Sequence, residues 1–234
     1  MTGTGAPLNP EFRPVADHAI LVVFGETIGE AAHAAVRRLD RALSRHPFAG
    51  FAEAVPAYVS LLVDFDPLLT DHATAEAAVR ALLVEAGGVE AEPAVRRVAV
   101  CYDGDLAPDL PEVARQTGLS AETVIAAHLA GDYRVFMYGF APGYAYLAGV
   151  PEPIRLPRKA TPLRGVAAGS VLIAGPQCLV STLTMPTGWW IIGRSPTPIL
   201  TGDETRPFLF DPGDRVVFAR IGRADLEQAG KAAG

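Results

Sequence analysis

The chain has 234 residues, half of them hydrophobic and 8% aromatic, enough for one large domain or two smaller ones that each bury a core. Its net charge of −6 offers no field that would draw a phosphate backbone or an anionic membrane, so neither nucleic acid nor membrane is expected as a partner. Cys101 and Cys178 are isolated from each other, and no charged leader precedes an apolar run at the N-terminus, which points to a reduced, cytoplasmic setting.

Residues 1–11 mix Gly, Pro and Thr without periodicity and read as a flexible leader; a first strand is predicted over residues 18–24. Thr27 with Glu30 three positions on has the capping-box pattern, and Ala32, Ala35, Val36, Leu39 and Leu43 then recur at helical spacing. Two extended runs hinged near Pro56 follow. A second helix is predicted from Asp71, carrying Ala75, Val79, Leu82, Leu83 and Ala86 inward and stopping at Gly87 and Gly88. The stretch AVRRVAVCY closes the set as a strand. The order β-α-β-β-α-β is that of a ferredoxin-like α+β sandwich, assigned to residues 12–102.

Residues 112–131 read as two short amphipathic helices joined at Gly118, with Ser120 as N-cap of the second. The spacing is like that of a DNA-reading pair. However, AETVIAAHLA offers no Arg, Lys, Asn or Gln for base edges, so both helices are expected to pack into a core. From Tyr133 onward, short β-rich runs alternate with Gly and Pro: YRVFMYGF, VAAGSVLIAG, CLVSTLTM, WWIIGR, PFLF and DRVVFARI. That texture predicts a closed or nearly closed β-barrel, assigned with its two leading helices to residues 103–234, and a short helix at the chain's end.

FMYGFAPGYAYLAGV, residues 136–150, is too broken for a helix and too apolar for a solvated loop. Gly139, Pro142 and Gly143 allow tight turns and close approach while Phe140, Tyr144 and Tyr146 supply flat walls, the composition of a pocket rim or of a packed barrel corner. Downstream, Arg158 and Arg194 each have apolar or glycine neighbours and could grip a carboxylate in a two-point fork, whereas Arg155, Lys159 and Arg164 are expected to be solvated. Gln177 could donate or accept at the same pocket. No phosphate-binding loop, dinucleotide fingerprint, nucleophile elbow or paired-histidine metal motif occurs, so neither a metal nor a bound nucleotide is expected. Cys178, flanked by Leu179 and Val180, reads as an inert buried thiol.

HLAGDYRVFMYGFAPGYAYLAG, LPRKATP, VAAGSVLIAGPQ and GWWIIGRSP, in that order, resemble the KipI-like family: the B subunit of 5-oxoprolinase, allophanate hydrolase subunit 1 and the matching half of the urea carboxylase carboxyltransferase domain. The resemblance implies that the barrel is cyclophilin-like. It implies as partners a second barrel subunit of related fold, of the kind found as the C subunit of 5-oxoprolinase or as allophanate hydrolase subunit 2, and an ATP-binding subunit, so that ATP is used by the complex and no cofactor is bound by this chain. The implied activity is one half of an amide or lactam hydrolase, opening 5-oxoproline to glutamate, with His128 transferring a proton, Arg194, and Arg158 as second choice, holding the carboxylate, Phe140, Tyr146 and Trp189 walling the ring and Gln177 orienting the amide. The rival readings are a regulatory inhibitor of a sensor histidine kinase and a subunit of a biotin-dependent carboxyltransferase acting on urea or a related amide. Where the family usually reads QTGIYPxxSPGGW, this chain reads QCLVSTLTMPTGW, a cluster of departures over residues 178–187.

Overall fold

Alternating apolar residues build the first unit. In the computed structural model, which describes residues 9–85 and 93–232, the chain divides into two compact units between residues 92 and 93. The first contains strands β1 (Glu11–Val15) and β2 (Ala19–Val23), helix α1 (Glu30–Arg45), strands β3 (Phe51–Pro56) and β4 (Ser60–Phe65), and helix α2 (His72–Glu85). Its sheet has the order β1-β2-β4-β3, antiparallel throughout. Ile20 and Val22 of β2 and Leu61 and Val63 of β4 pack with Ala35, Val36, Leu39 and Leu43 of α1 and Ala75 and Val79 of α2. Each fully buried Leu there contributes about 1.5–3 kcal/mol.

Two expectations change. Strand β1 occupies ground assigned in part to the leader: Glu11 lies opposite Val23 and Val15 opposite Ala19. Its polar, largely exposed edge position and its Pro14 concealed it, because a proline normally argues against a strand except at a sheet edge. Residues 1–8 of the leader, like Ala86, Gly87 and Gly88, lie outside the described residues. Helix α1 does not use the Thr27 box, since its N-cap is Gly29 in extended conformation with no side-chain cap. At α2 the expected start holds, and the Thr74 N–H donates to Asp71 Oδ1 at 2.8 Å.

The second unit contains β5 (Val95–Val100), α3 (Leu110–Thr117), α4 (Ala121–Leu129), β6 (Tyr133–Tyr138), β7 (Ala145–Ala148), β8 (Leu163–Val166), β9 (Ser170–Ala174), β10 (Gln177–Val180), β11 (Met185–Thr187), β12 (Trp190–Arg194), β13 (Arg215–Arg220) and α5 (Arg223–Ala232). Seven strands form one sheet in the order β12-β9-β10-β7-β6-β13-β5, and β8 pairs with β11 as a separate ribbon. Cys101, just after β5, and Arg194, at the end of β12, exchange two backbone hydrogen bonds of 2.8 Å, which joins the two ends of the sheet into a nearly closed barrel. Gly193 permits that seam, because a Cβ there would stand 2.6 Å from Val100 Cγ1.

The strand predicted to complete the ferredoxin-like order is therefore spent elsewhere. β5 runs parallel to β13 over six residue pairs, and Arg96 Nε donates to the largely buried Asp214 at 2.6 Å. Its hydrogen-bonding groups are used in the barrel, so the first unit keeps four strands and the boundary falls at 92/93 rather than at 102. Residues 207–210 (PFLF) form no strand and contribute a single bridge, Leu200 with Phe208. Helices α3 and α4 form as expected, with the Ser120 hydroxyl accepting from the Thr123 N–H at 3.1 Å, and they bury Val113, Ala114, Val124 and Ile125. Among the described residues no helix is long and apolar enough to cross a membrane.

Candidate functional site

Because successive strand residues point to opposite faces, each barrel strand divides its side chains between two environments. Ala145, Leu147, Ile173, Cys178, Trp190 and Ile192 belong to the interior core with α3 and α4. Tyr144, Leu172, Leu179, Trp189 and Ile191 belong to the outer face, where Val166 of β8 and Met185 of β11 cover part of the sheet and Tyr146 packs at the margin.

Four aromatic rings and one cation stand in sequence on that outer face. Phe140 and Tyr144 have centroids 5.3 Å apart, Tyr144 and Tyr146 5.4 Å, and Tyr146 and Trp189 6.0 Å; the Arg158 guanidinium lies 5.5 Å from the Trp189 ring. These separations are those of tilted, T-shaped and cation–π pairs. Trp189 is buried beneath Arg158, which leaves Phe140 and the half-buried Tyr146 as the faces open to a ligand. Burial pushes the Tyr144 hydroxyl up to about 12, an effect Arg158 opposes, so that hydroxyl stays protonated at neutral pH and cannot act as a base.

Phe140 is held at φ 72, 75% exposed, in a turn in which the Ala141 N–H donates to the Gly139 carbonyl at 2.9 Å. A γ-turn with positive central φ is rare and strained, of order 1–3 kcal/mol. Gly143 also takes positive φ, and a Cβ there would stand 2.7 Å from Leu200 Cδ2, whereas Gly139 has ordinary φ. Thr182 Oγ1 donates to the Pro142 carbonyl at 2.8 Å, pinning the corner from the other side. The strain makes an unusual order of stabilities the expected result: Phe140→Gly more stable than Phe140→Ala by about 1 kcal/mol in urea denaturation, although glycine is ordinarily the less stable of the two. An alanine variant as stable as the glycine variant would show that no strain is stored at Phe140.

Arg158 makes no hydrogen bond or ion pair among the described residues, so its planar donors are free beside the rings. Its neighbour Lys159, expected to be solvated, instead pairs with Asp109 at 2.6 Å with side-chain exposures of 11% and 15%. Arg194 lies at the barrel seam, where its Nη1 donates to the Ala168 carbonyl at 3.2 Å. Five strand positions, roughly 16 Å, separate its backbone from that of Trp189, so it does not join the aromatic row. Gln177 occupies the outer face of β10 opposite Ala148, diagonal to Tyr146.

His128 is on the other side of the sheet. It is fully buried, sharing a 2.8 Å hydrogen bond between Nδ1 and the Tyr102 hydroxyl and a 3.6 Å contact between Nε2 and Cys178 Sγ, with Phe218 and Tyr133 rings at 4.5 and 5.3 Å. Burial lowers its pKa to about 3 and raises that of the Cys178 thiol, so both are neutral. A histidine beside a cysteine would suggest a nucleophile pair if either could ionise; here they form a hydrogen-bonded core cluster. The sheet itself stands between His128 and Tyr146, so the residue expected to transfer a proton does not reach the aromatic row.

Ser181 and Thr182, two of the departures from the family pattern, line a cleft of about 260 Å³ together with Gly169, Ser195, Thr197 and Leu200. Thr182 connects it to the Pro142 corner. Among the described residues no group of three or more His, Cys, Asp or Glu is gathered to hold a metal ion.

A nearly closed barrel sheet carrying an aromatic row and a free guanidinium on its outer face defines the second unit, and the family follows from the whole chain: residues 10–210 match the carboxyltransferase domain, subdomain C and D, to which this chain belongs. It is similar to the 5-oxoprolinase B subunit of Bacillus subtilis, 36% identical over 226 residues covering 92% of this chain and 94% of that one. The B subunit of the same name from Escherichia coli O157:H7 is 40% identical over 134 residues, 57% of this chain and 62% of that one. Among solved structures, TTHA0988 is 37% identical with a TM-score of 0.76 over 87% of this chain, which spans only 39% of that longer one. The urea amidolyase of K. lactis, at 18% identity, TM-score 0.77, and coverage of 97% of this chain and 16% of that one, shares the fold.

Proposed function

We propose that this chain is one subunit of a heteromeric, ATP-dependent amide or lactam hydrolase that opens 5-oxoproline to glutamate, with a cyclophilin-like barrel that holds the substrate and partner subunits that handle ATP. The observation that carries the reading is the unpaired guanidinium of Arg158 at the end of the aromatic row. A flat lactam bearing a carboxylate needs an apolar wall beside a planar, two-point cation, and Phe140, Tyr146 and Arg158 supply both. The likeness to the 5-oxoprolinase B subunit over nearly the full length of that protein supports the same substrate class, and an allophanate-type linear amide is the nearest variant of it.

In this reading the chain binds and orients. Arg158 fixes the carboxylate, the open rings exclude water from one face of the lactam, and the protonated Tyr144 hydroxyl reinforces the wall. The ATP site is assigned to a partner, since this sequence carries no phosphate loop, and the proton-transferring group to a partner as well, since the buried His128 lies across the sheet from the aromatic row. Assayed with 5-oxoproline and ATP, the isolated chain is expected to show no turnover and the complex with its partner subunits to show it. Robust turnover by the chain alone contradicts the subunit reading.

A further inference from the structure

Asp109 sits at the N-cap of α3, a position where a carboxylate ordinarily caps the helix, yet its side chain makes no cap bond. Its Oδ2 instead accepts from Lys159 Nζ at 2.6 Å and from the Ile191 N–H of β12 at 2.7 Å. The backbone repeats the attachment: the Asp109 N–H donates to the Ile191 carbonyl at 3.0 Å and the Lys159 N–H to the Gly188 carbonyl at 2.7 Å. On the other side of Arg158, Trp190 Nε1 donates to the Pro157 carbonyl at 2.8 Å. Pro157 and Lys159 are therefore both tied to the start of β12, and Arg158 between them is the side chain left free, above Trp189.

We propose that Asp109, acting through Lys159, is a positioning residue that holds Arg158 over Trp189 and so sets the site's affinity for a carboxylate. The inference rests on the reading that Arg158 receives the substrate's carboxylate. An ion pair this shielded from water keeps its geometry far better than a surface pair, and removing one partner leaves a charge that must move out to be solvated. The ammonium that leaves is one residue from Arg158, so the guanidinium loses its fixed place while the barrel strands keep theirs.

The test uses the assembled complex with 5-oxoproline and compares Asp109→Asn, Lys159→Met and Arg158→Lys. Asparagine can still accept from the Ile191 N–H, and methionine still fills the space of the lysine stem, so both variants are expected to assemble. For each, the expected result is a KM raised about tenfold with kcat within twofold of wild type, the split produced when a binding group is misplaced and the chemistry is not. A KM unchanged in both, or kcat and thermal stability falling together without the KM change, overturns the positioning role and assigns the pair to folding alone. Arg158→Lys separates the two claims: if it leaves KM unchanged, the carboxylate reading fails and takes the inference with it; if it raises KM while Asp109→Asn and Lys159→Met do not, only the positioning role fails.

Discussion

Replacing His128 with alanine is expected to destabilise the second unit by about 3–5 kcal/mol, through the cavity left in the core and the buried Tyr102 hydroxyl left without its partner. The same residue governs a pH effect. Above pH 6.5 folded and unfolded chains both carry a neutral ring. As pH falls through 6.5 the unfolded ring binds a proton that the folded one, lowered to about 3 by burial, does not, so stability declines from about pH 6.5 down to about pH 3. Between pH 7.5 and 5 this single group removes about 2 kcal/mol. Denaturant unfolding at the two pH values should show that loss in the wild type and its absence in His128→Gln. A His128 variant with wild-type stability and an unchanged pH profile, defective only in turnover of the complex, would return the residue to catalysis.

The faces of the barrel were legible from the period-two pattern alone. Leu147 and Cys178 alternate with Tyr146 and Leu179, but that His128 lies on the Cys178 side is set by a contact 50 positions away that only the fold reveals. The family motif hides this, because a motif records which residues accompany one another and not which side of a sheet they take. The fate of β5 was illegible for a different reason: AVRRVAVCY is an equally good strand in either sheet, and the choice is made by β13, more than a hundred residues later. Arg158 and Lys159 are adjacent basic residues in one proline-broken loop, and only the carboxylate of Asp109, 50 positions earlier, decides that one is buried and the other free. At the corner, the glycines were the expected carriers of positive φ; Gly143 is one, but the other is Phe140, whose strain comes from surroundings that hold the turn closed.

In the proposed function the carboxylate clamp is Arg158 and not Arg194, and the ligand it holds is a carboxylate-bearing lactam. Lysine keeps the charge at either position but loses the planar fork, so Arg158→Lys is expected to remove a charge-assisted contact worth about 1.5–3 kcal/mol. Arg194→Lys is expected to leave binding nearly unchanged, because Arg194 is committed to the Ala168 carbonyl at the seam. Calorimetric titration of the reconstituted complex with 5-oxoproline decides it. Affinity about 10- to 100-fold weaker is expected for Arg158→Lys, by the conversion of 1.4 kcal/mol per tenfold, with Arg194→Lys like wild type. The reverse order of the two variants, or a wild-type complex that binds urea or another uncharged amide and not 5-oxoproline, would contradict it.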